Sequence, residues 1–286
     1  MTTTPFRPFS LNLRGSLVEY RRPVVMGILN ITDDSFYSAS RTAVADIAAR
    51  ARQMASAGAE MLDLGACSTR PGADFVDEKT ETERITGAVH AIRQAGITLP
   101  LSIDTFRAQV ARAAVAEGAD IINDISGGDL DPDMFATVAE LKVPYILMHM
   151  RGTPATMQTL TDYNDVTTEV VADLSRKIGR LEESGVADII VDPGFGFAKT
   201  LHQNWRMMAQ LEQFALLGRP VLVGISRKSM LTKLLGITAD EALAATAITN
   251  TLALERGAAI LRVHDSAEAA QAVSIVNELN RSVCSI

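Results

Sequence analysis

Polar side chains recur at the ends of short apolar runs. Their types suit a flat, hydrogen-bonding ring with an anion beside it. Asp104, Asn123 and Asp192 each close such a run. A carboxylate accepts two parallel hydrogen bonds, so this trio fits a ring that presents adjacent N–H donors. Lys228 follows another run and can donate to a ring carbonyl, and Arg262 carries a planar guanidinium that can stack on the ring. Arg70, Arg262, His264 and Asn30 are the types that hold a phosphate. Asn30 alone makes a poor metal site, yet it can complete the shell of a Mg2+ held mainly by substrate phosphates and water. Asp63, Asp124, His149, Ser226 and Arg227 lie in or just after the same kind of run. Any one of these residues is as readily a cap for the next helix. Polar residues of both charge signs at all eight ends point to a ligand site.

The runs themselves begin near Val24, Glu60, Pro100, Ile121, Tyr145, Ile189, Val221 and Ile260. They are spaced roughly 34 residues apart, enough for one strand–helix–strand unit each (~30 residues or more). Helical periodicity fills the intervals, as at 42–57, 106–117, 164–184 and 239–256. Gly58, Gly118, Gly185 and Gly257 follow helices and suit a C-cap before a short turn into the next strand. Short, wholly apolar strands alternating with helices imply a parallel sheet covered by helices. Eight units predict an α/β fold of the closed (β/α)8 type, a TIM barrel, with all strand ends on one face. An open doubly wound sheet is the other arrangement, but it would carry a GxGxxG turn where 24–35 reads VVMGILNITDDS. Residues 5–20 predict a short β-hairpin turning at Arg14-Gly15, ahead of a barrel over 24–280, all within one domain spanning 1–286.

Composition narrows the function classes. The chain has 286 residues, 47% hydrophobic and 21% charged, an ordinary globular balance. Its net charge of −7 lacks the basic excess of a nucleic-acid binder. Nothing reaches the ~18 consecutive apolar residues of a membrane span. The first ten residues hold no apolar run, so no secretory signal is expected. Two cysteines without a CxxC give no disulfide framework, and a cytoplasmic location follows.

Eight motifs in order make the pattern specific: MGILNITDDSF (26–36), STRPGA (68–73), SIDT (102–105), INDISGG (122–128), MHMRGTPATMQ (148–158), DPGFGFAKT (192–200), GISRKSM (224–230) and RVHD (262–265). The chain thereby resembles the dihydropteroate synthase family, the folate-pathway branch of the pterin-binding barrels, over nearly its whole length. The resemblance implies condensation of a dihydropterin methyl diphosphate with 4-aminobenzoate, assisted by Mg2+, to give dihydropteroate and diphosphate. It places Asp104, Asn123, Met148, Asp192, Phe197, Gly224, Lys228 and Arg262 around the pterin. Asn30, Thr69, Arg262 and His264 would face the diphosphate, with Asn30 on the metal. Phe36, Thr69, Arg70, Pro71, Lys228 and Ser229 would meet the aminobenzoate, partly through two mobile loops. Arg262, Lys228, Asp104 and Arg70 would carry the catalysis. Inhibition by sulfonamides and a homodimer formed through barrel helices (242–260 and 266–279) are further implications.

Two loops depart from the family pattern. Asp33 stands where a proline is usual, and Ser38-Ala39-Ser40 replaces a glycine-rich turn. Ala66-Cys67 precedes STRPG in place of a Gly-Glu pair, and Cys67 is expected to be a small filler. The altered first loop motivates a second reading, a silent pterin-binding paralogue; retention of Phe36, Arg70 and Pro71 argues against it. A folate/corrinoid methyltransferase of the same superfamily would share the ring-reading positions, but the SRK and RVHD residues and the two loops favour the diphosphate enzyme. His90 and His202 are expected on the surface, Met207 and Met208 in the core, Trp205 against a helix, Lys199-Thr200 as pocket wall and helix cap, and the charged run 77–84 as a solvated helix start.

Overall fold

The computed structural model describes residues 6–31, 41–66 and 76–284. Asp33, Phe36, Ser38, Ala39, Ser40, Cys67, Thr69, Arg70 and Pro71 lie outside the described residues, and the expectations placed on them stay with the sequence.

Two antiparallel strands come first, β1 (Phe9–Leu13) and β2 (Ser16–Tyr20). Their turn holds Arg14 at φ 49° and Gly15 at φ 83°. Two left-handed residues in succession give a twist that matches the flanking strands, as the expected hairpin requires. Eight parallel strands follow: β3 (Val24–Asn30), β4 (Met61–Gly65), β5 (Leu101–Asp104), β6 (Ile121–Asp124), β7 (Tyr145–Met148), β8 (Ile189–Asp192), β9 (Leu222–Val223) and β10 (Ile260–Val263). They hydrogen-bond in the order β8-β7-β6-β5-β4-β3-β10-β9. The ring closes where Val191 bridges Val221 in parallel, with Val191 N donating to Pro220 O at 3.0 Å. That contact excludes the open sheet.

Helices cover the outside: α1 (Arg41–Ser56), α2 (Glu78–Gln94), α3 (Ala108–Ala116), α4 (Met134–Leu141), α5 (Val166–Glu183), α6 (Leu201–Ala209), α7 (Ser229–Leu235), α8 (Leu243–Glu255) and α9 (Ser266–Cys284). Asp77, Asp165 and Thr200 cap α2, α5 and α6 through their side chains, and Thr200 forms a reciprocal pair with Gln203. Gly58, Gly118, Gly185 and Gly257 all take positive φ just after helices, as their spacing predicts. No described helix is long and apolar enough to cross a membrane.

Successive side chains of a strand point to opposite faces, and this divides the core in two. Val25, Leu29, Leu62, Leu64, Ile122 and Leu261 pack outward beneath the helices. Val24, Met26, Met61, Ile121, Ile146, Ile190, Leu222 and Ile260 face the barrel axis and meet Leu11 and Leu13 of the hairpin. The hairpin therefore plugs the N-terminal end of the barrel. Asn12 N donates to Asp188 at 2.8 Å and Arg14 pairs with Asp120 at 2.7 Å, which ties the plug to the strand starts.

The expectation for the charged run holds only in part. The charged run 77–84 is not wholly solvated: Glu81 is fully buried, accepting from Thr105 Oγ1 at 2.6 Å and pairing with Arg107. The helix begins at Glu78, and Glu81 alone of its charged first turns points inward, to anchor the end of β5. Met207, Met208, Trp205, His90 and His202 sit as expected, the methionines in the core and both histidines exposed.

Candidate active site

At the C-terminal end of the barrel the inward-facing positions change chemistry. Asn30, Asp63, Asp104, Asn123, Met148, Asp192, Gly224, Arg262 and His264 all share the inward parity. Strand register places Asp104 opposite Asn123 and Met148 opposite Asp192. Position along the strand thus converts scattered polar residues into one ring.

Arg262 crosses this ring from β10. Its Nε donates to Asp63 Oδ2 at 2.6 Å and its Nη2 to Asp104 Oδ2 at 2.7 Å. Burial works against the guanidinium charge, and Asp63 and Asp104 more than offset it, raising its pKa. Asn123 Nδ2 donates to Asp63 Oδ1 and Oδ2 at 3.3 and 3.2 Å. Burial pushes the Asp104 carboxyl up to about 7; Arg262 opposes the shift, while Asp63, Glu81 and Asp124 add to it. Asp192 is raised by burial as well, against the pull of Lys228.

Lys228 enters from a strained turn. Arg227 has φ 55°, a left-handed conformation rare for a residue with a side chain. It is held there by two bonds to Asp265, at 2.9 and 2.6 Å, and by Arg227 N on Thr246 Oγ1 at 3.1 Å. The chain then extends through Lys228 into α7, whose first residue, Ser229, is exposed. Lys228 Nζ donates to Phe195 O at 2.6 Å and lies 4.8 Å from the Phe197 ring centre. Burial lowers its pKa to about 8, against Asp192 and Asp104.

The loop after β8 is fixed from below. Asp192 Oδ1 accepts from Gly194 N at 2.7 Å. Gly194 has φ 70°, and a Cβ there would overlap the His149 carbonyl oxygen, so only glycine fits. Lys199 is buried and donates to Gly194 O at 2.9 Å, Phe197 O at 2.9 Å and His149 Nδ1 at 3.0 Å. Burial depresses both partners, Lys199 to about 7 and His149 well below its usual range. A neutral His149 with Nδ1 as acceptor agrees with that geometry. Lys199 is therefore less a pocket wall than the post on which the loop carrying Phe195 and Phe197 rests. Thr200 is the helix cap expected of it.

Met148 and Phe197 join Ile125, Met150, Met157, Ala198, Phe106 and Leu130 in a small apolar cluster at the same end of the barrel. Opposite, Asn30 is exposed at the end of β3, and its carbonyl accepts from Arg50 at 3.2 Å. His264 Nδ1 lies 3.0 Å from Ser226 Oγ. Among the described residues no three His, Cys, Asp or Glu side chains converge on a metal position. The neutral amide of Asn30 fits a Mg2+ brought in with phosphate oxygens and water, not one caged by protein.

Asp124 and His149, like Arg227, stay out of the ring. Asp124 points outward and takes Ser126 N, Ser126 Oγ, Gly128 N and Tyr145 OH at 2.7 to 2.9 Å. His149 points outward to Lys199. Asp63 is the residue whose part the sequence reading missed. Its signal was available, since it follows buried Met61 by two positions, as Asn123 follows Ile121.

Comparisons with known proteins identify relatives of this chain. Residues 26–264 match the family described as pterin binding enzyme. A dihydropteroate synthase of Synechocystis sp. is 44% identical over 273 residues, covering 91% of each chain. The structure of Xanthomonas albilineans dihydropteroate synthase with 4-aminobenzoic acid superposes with a TM-score of 0.86 at 38% identity, over 95% of this chain and 98% of that one. The Yersinia pestis enzyme, in a sulfonamide drug complex, gives 0.88 at 36% identity over 96% and 100%. With the closed barrel and its ring of inward polar residues, these matches establish that the chain belongs to the pterin-binding enzyme family, in its dihydropteroate synthase branch.

Proposed function

We propose that this transferase condenses (7,8-dihydropterin-6-yl)methyl diphosphate with 4-aminobenzoate, releasing 7,8-dihydropteroate and diphosphate. The observation that carries the reading is the inward ring, in which acceptors on Asp104, Asn123 and Asp192 stand with the donors of Lys228 and Arg262. The acceptors suit the N–H-rich edge of a pterin, and Lys228 suits its carbonyl. Met148 and Phe197 supply apolar walls, and Gly224 leaves room beside Arg262 and Lys228.

Arg262 spends its Nε and Nη2 on the two aspartates, which leaves its flat face and Nη1 for substrate. The C–O bond to diphosphate breaks, and the electron pair leaves with the diphosphate. Arg262 and His264 stabilise the charge that develops on it, and the sequence motifs add Asn30 and Thr69 to the diphosphate contacts. A Mg2+ accompanying the diphosphate would add positive charge at the leaving oxygens, with Asn30 completing its shell. The electron-rich dihydropterin delocalises the methylene cation. The amine of 4-aminobenzoate then forms the C–N bond and gives its proton to solvent. Phe36, Arg70, Pro71 and Ser229 hold the aminobenzoate, and its sulfonamide mimics would compete there.

In the assay, diphosphate release is measured with the pterin substrate and Mg2+, with and without 4-aminobenzoate. Amine-dependent release with formation of dihydropteroate is expected, suppressed by a sulfonamide. Tight pterin binding without release would instead make the chain a binding paralogue.

The proposal includes a homodimer in the cytoplasm. Ile248 and Leu252 on α8, with Ile275 and Leu279 on α9, are 62%, 42%, 65% and 51% exposed. Each pair is spaced i, i+4, so each forms an apolar stripe on one helix face. Equilibrium sedimentation is expected to give twice the chain mass, and Ile275→Lys with Leu279→Glu to give the monomer; an unchanged mass would place the interface elsewhere.

A further inference from the structure

We propose that Asp63 is a specificity-determining positioning residue: it sets the polarity of the Asn123 amide toward the ring and the orientation of Arg262. The inference rests on the pterin reading above and deepens it. Asp63 is fully buried, and every contact it makes is one it accepts. Arg262 donates Nε to its Oδ2 at 2.6 Å, and Nη2 lies 2.5 Å from the same oxygen. A carboxylate in that position has only acceptors to offer, so the Asn123 group facing it must be the NH2. The contacts of 3.2 and 3.3 Å agree. Oδ1 is thereby turned away from Asp63, and no described residue donates to it. Asn123 could present either end of its amide to a ligand, and Asp63 decides that it presents the acceptor. The site thus prefers a ring edge carrying a donor there. The Arg262 bonds close the same device from the other side, because Asp63 cannot turn without losing them.

The test is a reciprocal swap. In Asp63→Asn, the new amide oxygen must stay on Arg262, so its NH2 meets Asn123. Asn123 then reverses and offers NH2 to the ring. The dissociation constant for the dihydropterin diphosphate is expected to rise about ten- to a hundred-fold, as for a mismatched buried hydrogen bond. KM for 4-aminobenzoate should move less than about three-fold. Asn123→Asp alone sets two carboxylates face to face and should also lose pterin affinity. The double variant Asp63→Asn/Asn123→Asp restores one donor and one acceptor between the pair and again offers an acceptor to the ring. It is expected to recover most of the lost affinity. Calorimetric titration with the pterin diphosphate, with melting curves as a fold control, reads all four proteins. If Asp63→Asn does not fold, the same recovery is read between Asn123→Asp and the double variant. A double variant no better than the single ones overturns the inference, because a merely structural Asp63 would give additive losses. A starting protein that does not bind the pterin overturns the functional reading itself, and the inference with it.

Discussion

Arg262→Met is expected to lose activity by at least about a hundred- to a thousand-fold, the range for removing one preorganised charge stabiliser from a transition state. It is also expected to lower the melting temperature by on the order of 10 °C. The second figure follows from what the substitution leaves behind. The Arg262 side chain is 18% exposed, and it neutralises Asp63, which is 0% exposed, and Asp104, which is 10% exposed. Removing one member of such a buried pair costs about 3–5 kcal/mol, since the remaining charge keeps its desolvation penalty. In a chain of this size each kcal/mol shifts the melting point by roughly 2–4 °C. Arg262→Lys separates the two roles. A lysine restores the charge but offers one point donor where the guanidinium bridges two carboxylates. It should regain part of the stability and little of the activity. Melting curves and diphosphate release measured on both variants decide the matter. An Arg262→Met protein that keeps a tenth of the activity would remove Arg262 from the leaving-group side of the reaction.

The same residue shows how far the site was legible from the chain alone. Eight apolar runs at even spacing gave the barrel, and the polar residue at each run's end gave the face. What the runs did not give directly was direction. Asn123 and Asp124 are neighbours of equal polarity, yet only Asn123 faces the axis. The distinction is strand parity, counted from inward residues such as Ile121 and Met61. Applied throughout, that count also selects Asp63 and sets His149 aside. The Lys199–His149 contact spans 50 positions and has no local signature. Glu81 looked solvated because its helix start is charged on every side. Its burial depends on Thr105 and Arg107, which a different strand–helix unit brings across. Periodicity within an element was readable, whereas pairings between units needed the closed ring.

The pH dependence of pterin capture follows from two members of that ring. Asp104 titrates at about 7, raised chiefly by burial, and Lys228 at about 8, lowered chiefly by burial. Substrate is best met with Asp104 ionised, to accept ring donors, and Lys228 protonated, to donate to the carbonyl. Both conditions hold only in the narrow interval between the two values. A bell-shaped profile of kcat/KM for the pterin diphosphate is expected over about pH 6 to 9, since this quantity reports the groups of the free enzyme. Asp104→Asn should remove the acid limb and lower the maximum by about ten- to a hundred-fold, the loss of a hydrogen bond to a charged group. Lys228→Met should remove the alkaline limb with a loss of similar size. Asp192 is also raised by burial and Lys199 titrates at about 7, so an acid limb that survives in Asp104→Asn would belong to Asp192 or to Lys199 and the loop it supports. Stability supplies an independent check with a definite sign. The folded value of Asp104 lies above the ~3.9 of an unfolded aspartate. Between those values the folded chain holds a proton that the unfolded chain has released. The contribution of Asp104 to stability therefore falls as pH rises from about 4 to about 7 and is level above that. Asp104→Asn should flatten this slope in denaturant titrations, whereas an unchanged slope would show that Asp104 ionises in the fold as readily as in water.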